Sequence, residues 1–166
     1  NTPDLQQLKG MIREFEEELV WAYNGVQVNH VHHLHLGFYQ DKGITKGVNI
    51  ERDVMPIVKQ FREIQPDIIS VTLDPEGSGP DTHYKVLQAT AAAVAEWSKE
   101  KDLSNVRIYG YRNVWFKFHP VDANMYVPVS LNALAVLDKS FAASYLSQVK
   151  AEFPNPMHDG PFSDIS

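Results

Sequence analysis

The sequence contains no cysteine, and that absence removes several kinds of chemistry at once. Disulfides, thiolate metal sites and a cysteine nucleophile are all excluded. Basic residues are also in the minority, since 15 Lys and Arg stand against 21 Asp and Glu and give a formal charge of −6. This balance argues against a nucleic-acid-binding surface, which needs clustered Lys and Arg. No run of the sequence approaches the roughly 18 consecutive apolar residues of a membrane span. The sequence therefore predicts a cytoplasmic protein without a signal peptide that binds neither nucleic acid nor membrane.

Four common catalytic motifs are missing as well. The chain has no G-x-S-x-G elbow, no Walker P-loop, no G-x-G-x-x-G fingerprint and no H-E-x-x-H pair. Serine-nucleophile esterase chemistry, nucleotide hydrolysis and hydride transfer are therefore poor explanations of this chain.

The spacing of the apolar residues predicts an α/β chain in which helices and strands alternate. Helices are predicted at about 3–24, 53–65, 81–99 and from 130 onward, and strands at 31–36, 68–73, 106–111 and 114–118. Asn24-Gly25 is the predicted stop of the first helix, and Asp81 and Ser130 are the predicted caps of the third and fourth. Pro56 fits the first turn of the second helix, where its missing N–H is harmless. The apolar run at 68–73 is typical of a strand buried on both faces of a parallel sheet. This order predicts a right-handed, mostly parallel α/β sheet.

The amino-terminal region departs from the usual α/β pattern. Asn1-Thr-Pro-Asp leads directly into a helix with an apolar stripe, and Thr2 or Asp4 is its predicted cap. A buried strand would be expected to come first in an intact α/β domain. We therefore expect the chain to be the carboxyl-terminal portion of a longer protein.

The most informative segment joins the predicted strand at 68–73 to the following helix. Its loop carries Asp74, Glu76 and Asp81 among glycines and prolines, and His83 opens the helix. Ligands in open α/β sheets bind outside the carboxyl ends of the strands, and glycines let a substrate approach the backbone closely. The three carboxylates with His83 suit a divalent metal better than a phosphate. The alternative is a solvated loop in which His83 merely caps or packs the first turn.

Three further groups of residues are candidates for a site. Arg112 ends the next predicted strand at the same edge as this loop, where it could clamp a carboxylate or phosphate or form a surface ion pair. His119 and Asp122, beyond a strand end, could chelate a metal, although a plain turn explains them equally well. Residues two apart on a strand share a face, so pairs from the histidine cluster could also hold a metal: His30, His32, His33 and His35. No acidic residue is expected to accompany this cluster.

Several segments, taken in order, resemble the LmbE-like (PIG-L type) zinc-dependent deacetylases. They include His-His-Leu-His-Leu-Gly-Phe-Tyr at 32–39, the stretch 68–89, Tyr-Gly-Tyr-Arg-Asn-Val-Trp at 109–115 and Val-Pro-Val-Ser at 127–130. The likeness spans nearly the whole chain and is closest to the version fused behind a glucosamine-6-phosphate deaminase (isomerase) module. Its most specific piece is Asp-Thr-His-Tyr-Lys-Val, which begins at Asp81.

The resemblance implies both a fold and a zinc site. The fold is a Rossmann-like three-layer sandwich over residues 1–153, lacking the first strand of the family, with an irregular tail at 154–166. In the family, an Ala-His-Pro-Asp-Asp stretch after that strand supplies two zinc ligands and the base, and a later histidine at a helix start supplies the third ligand. His83 matches the later histidine. The early stretch has no counterpart here, and Pro80 stands where the family often has a second histidine.

Two hypotheses of function follow. In the first, the full-length protein removes the acetyl group from an N-acetylglucosamine-type sugar with zinc as cofactor. His83 is then a metal ligand, Arg112 and Asp81 contact the substrate, no catalytic base is assigned, and this chain is inactive alone. In the second, the chain is a non-catalytic sugar-phosphate-binding or regulatory domain attached to a glucosamine-6-phosphate deaminase. Because a sheet without its first strand would expose an edge, we also expect a second copy of the chain or the upstream segment to cover it.

Overall fold

The computed structural model describes residues 2–39, 47–77, 79–112 and 118–150. These residues form four helices and two strands: α1 (Pro3–Tyr23), α2 (Met55–Ile64), β1 (Ile68–Thr72), α3 (Asp81–Trp97), β2 (Arg107–Tyr111) and α4 (Leu131–Ser144). The two strands pair in parallel, with Ile69 opposite Ile108. A parallel pair needs a crossover connection, which α3 provides. The predicted α/β, Rossmann-like class with parallel strands is confirmed.

The chain divides into two compact units. One consists of Asn1–His33 with Asn124–Ser166, and contains α1 and α4; the other is Leu34–Ala123, and contains both strands, α2 and α3. The predicted boundary at residue 153 and the irregular tail lie outside the described residues. The organisation of residues 1–153 as one LmbE-like domain stays a prediction.

In the unit Leu34–Ala123, α2 and α3 pack against each other, and α3 also contacts β1. Trp97 and Phe61 meet with their ring centroids 5.3 Å apart. Ala89 and Ala93 are fully buried on α3, and their small side chains allow close approach of neighbouring elements. The other members of this core are Leu36, Phe38, Val54, Ile57, Val58 and Ile69.

The start of α2 follows the proline prediction. Pro56 lies in its first turn, as expected. A π-helical turn, Ile50–Val54, precedes α2, and the Asn49 side chain caps this turn by accepting a hydrogen bond from the Arg52 backbone N–H at 3.0 Å.

Within the described residues, strand β1 is covered on one face only. Ile69 and Val71 are buried, whereas Ile68 and Ser70, which point to the opposite face, are exposed. The prediction that the run 68–73 is buried on both faces is therefore wrong for the described structure. Covering of this sheet by a second copy or by an upstream segment stays a prediction.

The other unit pairs α1 with α4. Thr2 caps α1 by accepting from the Leu5 N–H at 3.4 Å, as predicted. The helix ends at Asn24-Gly25, where Gly25 has φ +83°, in the left-handed region that favours glycine. Ser130 caps α4 by accepting from the Ala133 N–H at 3.1 Å, also as predicted.

Two predicted strands have no counterpart among the described residues. The strand predicted at 31–36 is wrong: these residues form no strand, and His35 has φ +49°, which interrupts an extended backbone. Nearby, the Gly37 N–H donates to the Asp53 carboxylate at 2.8 Å. The strand predicted at 114–118 lies almost entirely outside the described residues. None of the helices in the described ranges is both long and apolar enough to cross a membrane.

Candidate functional site

The carboxyl ends of β1 and β2 lie side by side because the strands pair in parallel, with Thr72 opposite Tyr111. The Leu73 N–H donates to the Tyr111 carbonyl at 2.7 Å and extends the pairing by one residue. Asp74 and Arg112 therefore leave the sheet at the same edge. This is the edge at which α/β folds bind ligands, and we treat it as the candidate site.

Arg112 is the main cation of this edge. Its Nη1 and Nη2 atoms donate to the two carboxylate oxygens of Glu76 at 2.7 and 2.8 Å, a bidentate contact. A carboxylate oxygen of Asp74 lies 3.9 Å from Nη1. The guanidinium carbon lies over the Phe118 ring, 5.2 Å from its centroid, in a cation–π contact. Three residues from two segments of the chain thus contact one guanidinium group.

The two partners of this pair differ sharply in exposure. The Arg112 side chain is only 10% exposed, whereas the Glu76 side chain is 55% exposed. A nearly buried cation is therefore covered by a carboxylate that faces solvent.

The pair changes the acidity of both groups. Hydrogen bonds from Arg112 hold the pKa of the Glu76 carboxyl below its usual value. The same hydrogen bonds raise the pKa of Arg112, and the negative charges of Glu76, Asp74 and Asp122 add to this rise. Both partners are therefore ionised at neutral pH. The charge of Asp122, in the turn after Phe118, also acts on this site.

Asp74 fixes the loop that carries Glu76. It is buried, and its carboxylate accepts from the Gly79 N–H at 2.8 Å. The Gly77 N–H donates to the Asp74 carbonyl at 3.1 Å, and Gly77 has φ +64°, so a glycine is favoured at this turn. Ser78 lies outside the described residues.

The start of α3 differs in one respect from the prediction. Asp81 is its first residue and not its cap, because Pro80 occupies the cap position. The Asp81 carboxylate instead pairs with Lys85 at 2.7 Å, and here too the cation is 10% exposed and the carboxylate 60% exposed. His83 is partly buried in the first turn, where its backbone N–H donates to the Pro80 carbonyl at 2.8 Å.

The structure thus joins Arg112 to the 74–81 loop, as the strand order predicted. The roles of Arg112 and Asp81 in substrate binding, and of His83 in metal binding, stay predictions. The ion pair between Lys85 and Asp81 was not predicted from the sequence. The four-residue spacing of these two residues on a helix could have indicated it.

The remaining candidates are the pair His119 and Asp122 and the histidine cluster. His119 and Asp122 form a turn, in which the Asp122 N–H donates to the His119 carbonyl at 2.8 Å. In the unit that contains α1, the Nε2 atom of His33 lies 3.4 Å from a carboxylate oxygen of Glu18. An acidic residue thus accompanies the histidine cluster, contrary to the sequence reading. Within the described ranges, no three His, Asp or Glu residues are grouped so that they could hold a metal ion.

One comparison with known proteins bears on these residues. The chain is 35% identical over 132 residues to the putative glucosamine-6-phosphate deaminase-like protein of Bacteroides thetaiotaomicron. The match covers 76% of this chain and 19% of that protein, so the chain spans about a fifth of its relative's length. No family model and no solved structure matches the chain. The relative's name agrees with the amino-sugar-phosphate part of the predicted resemblance, and membership of the LmbE-like family stays a prediction.

Proposed function

We propose that this chain binds a phosphorylated amino sugar at the carboxyl ends of β1 and β2, as a non-catalytic module of a longer glucosamine-6-phosphate deaminase-like protein. The observation that carries the proposal is the nearly buried Arg112 guanidinium, which already holds a carboxylate in bidentate geometry at this edge. The planar fork of arginine matches carboxylate and phosphate groups. The relative's name supplies the substrate class, glucosamine 6-phosphate.

The polar groups of the edge suit the two ends of such a ligand. Arg112 is the candidate contact for the phosphate, because its charge and fork geometry are preserved at all physiological pH values. Asp81, with its exposed carboxylate at the start of α3, is the candidate contact for the ammonium or hydroxyl groups of the sugar. This assignment requires no chemistry at the edge, only recognition.

Calorimetric titration of the chain with glucosamine 6-phosphate tests the proposal. Arg112→Gln should weaken binding by at least about thirtyfold, because truncating one partner of a charged, hydrogen-bonded contact typically costs about 2–5 kcal/mol. Arg62→Gln is the matched control. Arg62 also pairs bidentately with a carboxylate, that of Glu100, but beyond the opposite end of α3. Equal affinities of the wild type and Arg112→Gln would contradict the proposal.

His83 supports a second candidate, the zinc-dependent deacetylation of an N-acetylglucosamine-type sugar that the resemblance implies. It lies in the first turn of α3, where the family's later histidine ligand lies. A catalytic zinc normally takes three protein ligands, and the described residues offer no such group. The described part of this chain therefore does not fit a complete zinc centre, and we derive no catalytic step through one. In the longer protein, other residues would have to supply the remaining ligands and the base.

Metal analysis of the longer protein separates the two candidates. Stoichiometric zinc that is lost in His83→Ala and retained in His119→Ala would support the deacetylase, together with release of acetate from N-acetylglucosamine 6-phosphate. The same zinc content in the wild type and in His83→Ala would remove His83 from any metal site.

A further inference from the structure

We infer that Glu76 is a displaceable internal ligand of Arg112, whose carboxylate occupies the guanidinium fork in the free protein and is replaced there by the phosphate of the incoming ligand. This inference rests on the proposed binding function and adds the way in which access to the site is controlled.

The asymmetry of the pair gives the first argument. Glu76 is more than half exposed, so its carboxylate can return to water at little cost once it leaves Arg112. The Arg112 side chain is nearly buried, and a buried charge is unfavourable unless it is paired. The fork is therefore poorly satisfied by solvent alone, and the exchange is favourable when another anion arrives.

The loop gives the second argument, because its anchor and its movable part are different residues. Asp74 is buried and is tied to the Gly79 N–H. Glu76 lies two residues later, next to Gly77, whose positive φ shows a backbone that side chains rarely adopt. The N–H groups of Gly77 and Gly79 both donate to Asp74, so the backbone of the loop stays in place while rotation about the side-chain bonds of Glu76 withdraws its carboxylate from Arg112.

The chemistry of the occupant gives the third argument. Glu76 is itself a carboxylate and is tethered beside Arg112, so its effective concentration is on the order of millimolar or higher. A free monocarboxylate offers the fork nothing that Glu76 does not already offer. A phosphomonoester carries up to two negative charges and three acceptor oxygens, so this class of ligand can displace Glu76.

Charge alone could also explain a gain in affinity, and the chain offers a control for this. The charge of Asp122 acts on Arg112 through space, whereas Glu76 acts mainly through hydrogen bonds to the fork. Asp122→Asn thus removes one nearby negative charge while leaving the fork occupied. Glu76→Gln also removes one negative charge, and in addition it weakens the hydrogen bonds between residue 76 and the Arg112 guanidinium group.

The experiment is a calorimetric titration of the whole chain with inorganic phosphate and with glucosamine 6-phosphate. If Glu76 leaves the Arg112 guanidinium group about a tenth of the time in the wild type, Glu76→Gln should bind either probe about tenfold more tightly. Glu76→Ala, which leaves no acceptor, should gain at least as much. Asp122→Asn should gain less than about threefold, the expectation for a screened charge near the surface. Urea unfolding of each variant confirms that it is folded.

The outcomes separate this inference from the proposed function. Tighter binding in both Glu76→Gln and Glu76→Ala, with a clearly smaller gain in Asp122→Asn, supports the displaceable ligand. Equal gains in Glu76→Gln and Asp122→Asn, or no gain in either, overturn it. The proposed binding site still stands in that case if Arg112→Gln weakens binding. If neither probe binds to the wild type or to Glu76→Gln, both the displaceable ligand and the proposed binding function fail.

Discussion

Asp53→Ala is the sharpest test of what holds the unit Leu34–Ala123 together, because the Asp53 carboxylate is fully buried and accepts four hydrogen bonds from residues that the structure describes. The backbone N–H groups of Gly37 and Asn49 donate to it at 2.8 and 2.9 Å. Arg52 donates through Nε at 2.9 Å and through Nη2 at 2.7 Å. One side chain thus joins the segment at residue 37 to the turn that precedes α2.

The expected loss of unfolding free energy in Asp53→Ala depends on the hydrogen-bond donors that lose their acceptor. Removing one partner of a buried ion pair lowers the free energy of unfolding by about 3–5 kcal/mol. The N–H groups of Gly37 and Asn49 each lose an acceptor, at about 1–3 kcal/mol each when no water replaces it. The Arg52 side chain is 32% exposed and can be rehydrated, which limits the total. We expect a loss of about 4 kcal/mol for Asp53→Ala and about 2 kcal/mol for Asp53→Asn, which keeps one acceptor oxygen.

Urea unfolding followed by far-UV circular dichroism and by tryptophan fluorescence measures the loss. Trp97, buried in the core of the same unit, contributes to the fluorescence signal. Glu100→Gln is the control, because it breaks an exposed pair with Arg62, and should change the unfolding free energy by less than about 1 kcal/mol.

The pH dependence gives an independent check. Hydrogen bonds from the Arg52 side chain hold the pKa of Asp53 below its ordinary value. The carboxylate therefore stabilises the fold fully above the unfolded-state pKa of about 3.9, and this contribution is lost as the pH falls through the folded-state pKa. The stability difference between the wild type and Asp53→Asn should narrow below about pH 4. A loss under 1 kcal/mol in Asp53→Ala at pH 7, or a difference that does not narrow in acid, would refute this account.

Two further predictions concern packing and buried charge. A Cβ added at Gly110 would lie 2.8 and 2.9 Å from the Cδ2 and Cβ atoms of Leu73. Gly110→Ala should therefore lower the free energy of unfolding by about 1–3 kcal/mol. An unchanged midpoint of thermal unfolding would contradict this prediction, because it would show that Leu73 moves aside without cost. Glu16 is buried and accepts from the N–H and hydroxyl of Ser147 at 2.8 and 2.6 Å. Glu16→Ala should therefore lower the unfolding free energy by about 1–3 kcal/mol in urea titrations, and a neutral result would contradict a stabilising role for this contact.

The elements that could be predicted from the sequence are those with local signals. The cap residues Thr2 and Ser130 and the stop at Asn24-Gly25 fix helix ends through contacts within four residues. Pro56 likewise fixed the start of α2 to within a turn. Such signals act over a few residues, so a reading of the chain in order detects them.

The failures involve partners that are distant in sequence. The residues at 31–36 had the composition of a strand, but the nearby Gly37 N–H pairs with Asp53, sixteen residues away. The apolar stripe of α1 does not coincide with its buried side: Phe15 is 60% exposed, whereas its neighbour Glu16 is buried because Ser147, 131 residues away, supplies two donors. No local periodicity could have indicated either contact.

One contact of the candidate site could be predicted from the sequence, and two others could not. The meeting of Arg112 with the 74–81 loop could be predicted, because the carboxyl ends of parallel strands share one edge. The sequence could not show that Glu76, and not Asp74, is the bidentate partner of Arg112, because this depends on the turn at Gly77. Asp81 was expected to cap α3 and pairs with Lys85 instead.

The sheet has one consequence for the ligand site. Within the described residues, β2 is hydrogen-bonded to β1 on one side only, so its outer edge can accept another strand. A third strand that ran parallel to β2 there would end beside Arg112, and its own following loop would lie next to the candidate site. Any polypeptide that completes the sheet would therefore also contribute residues to that site.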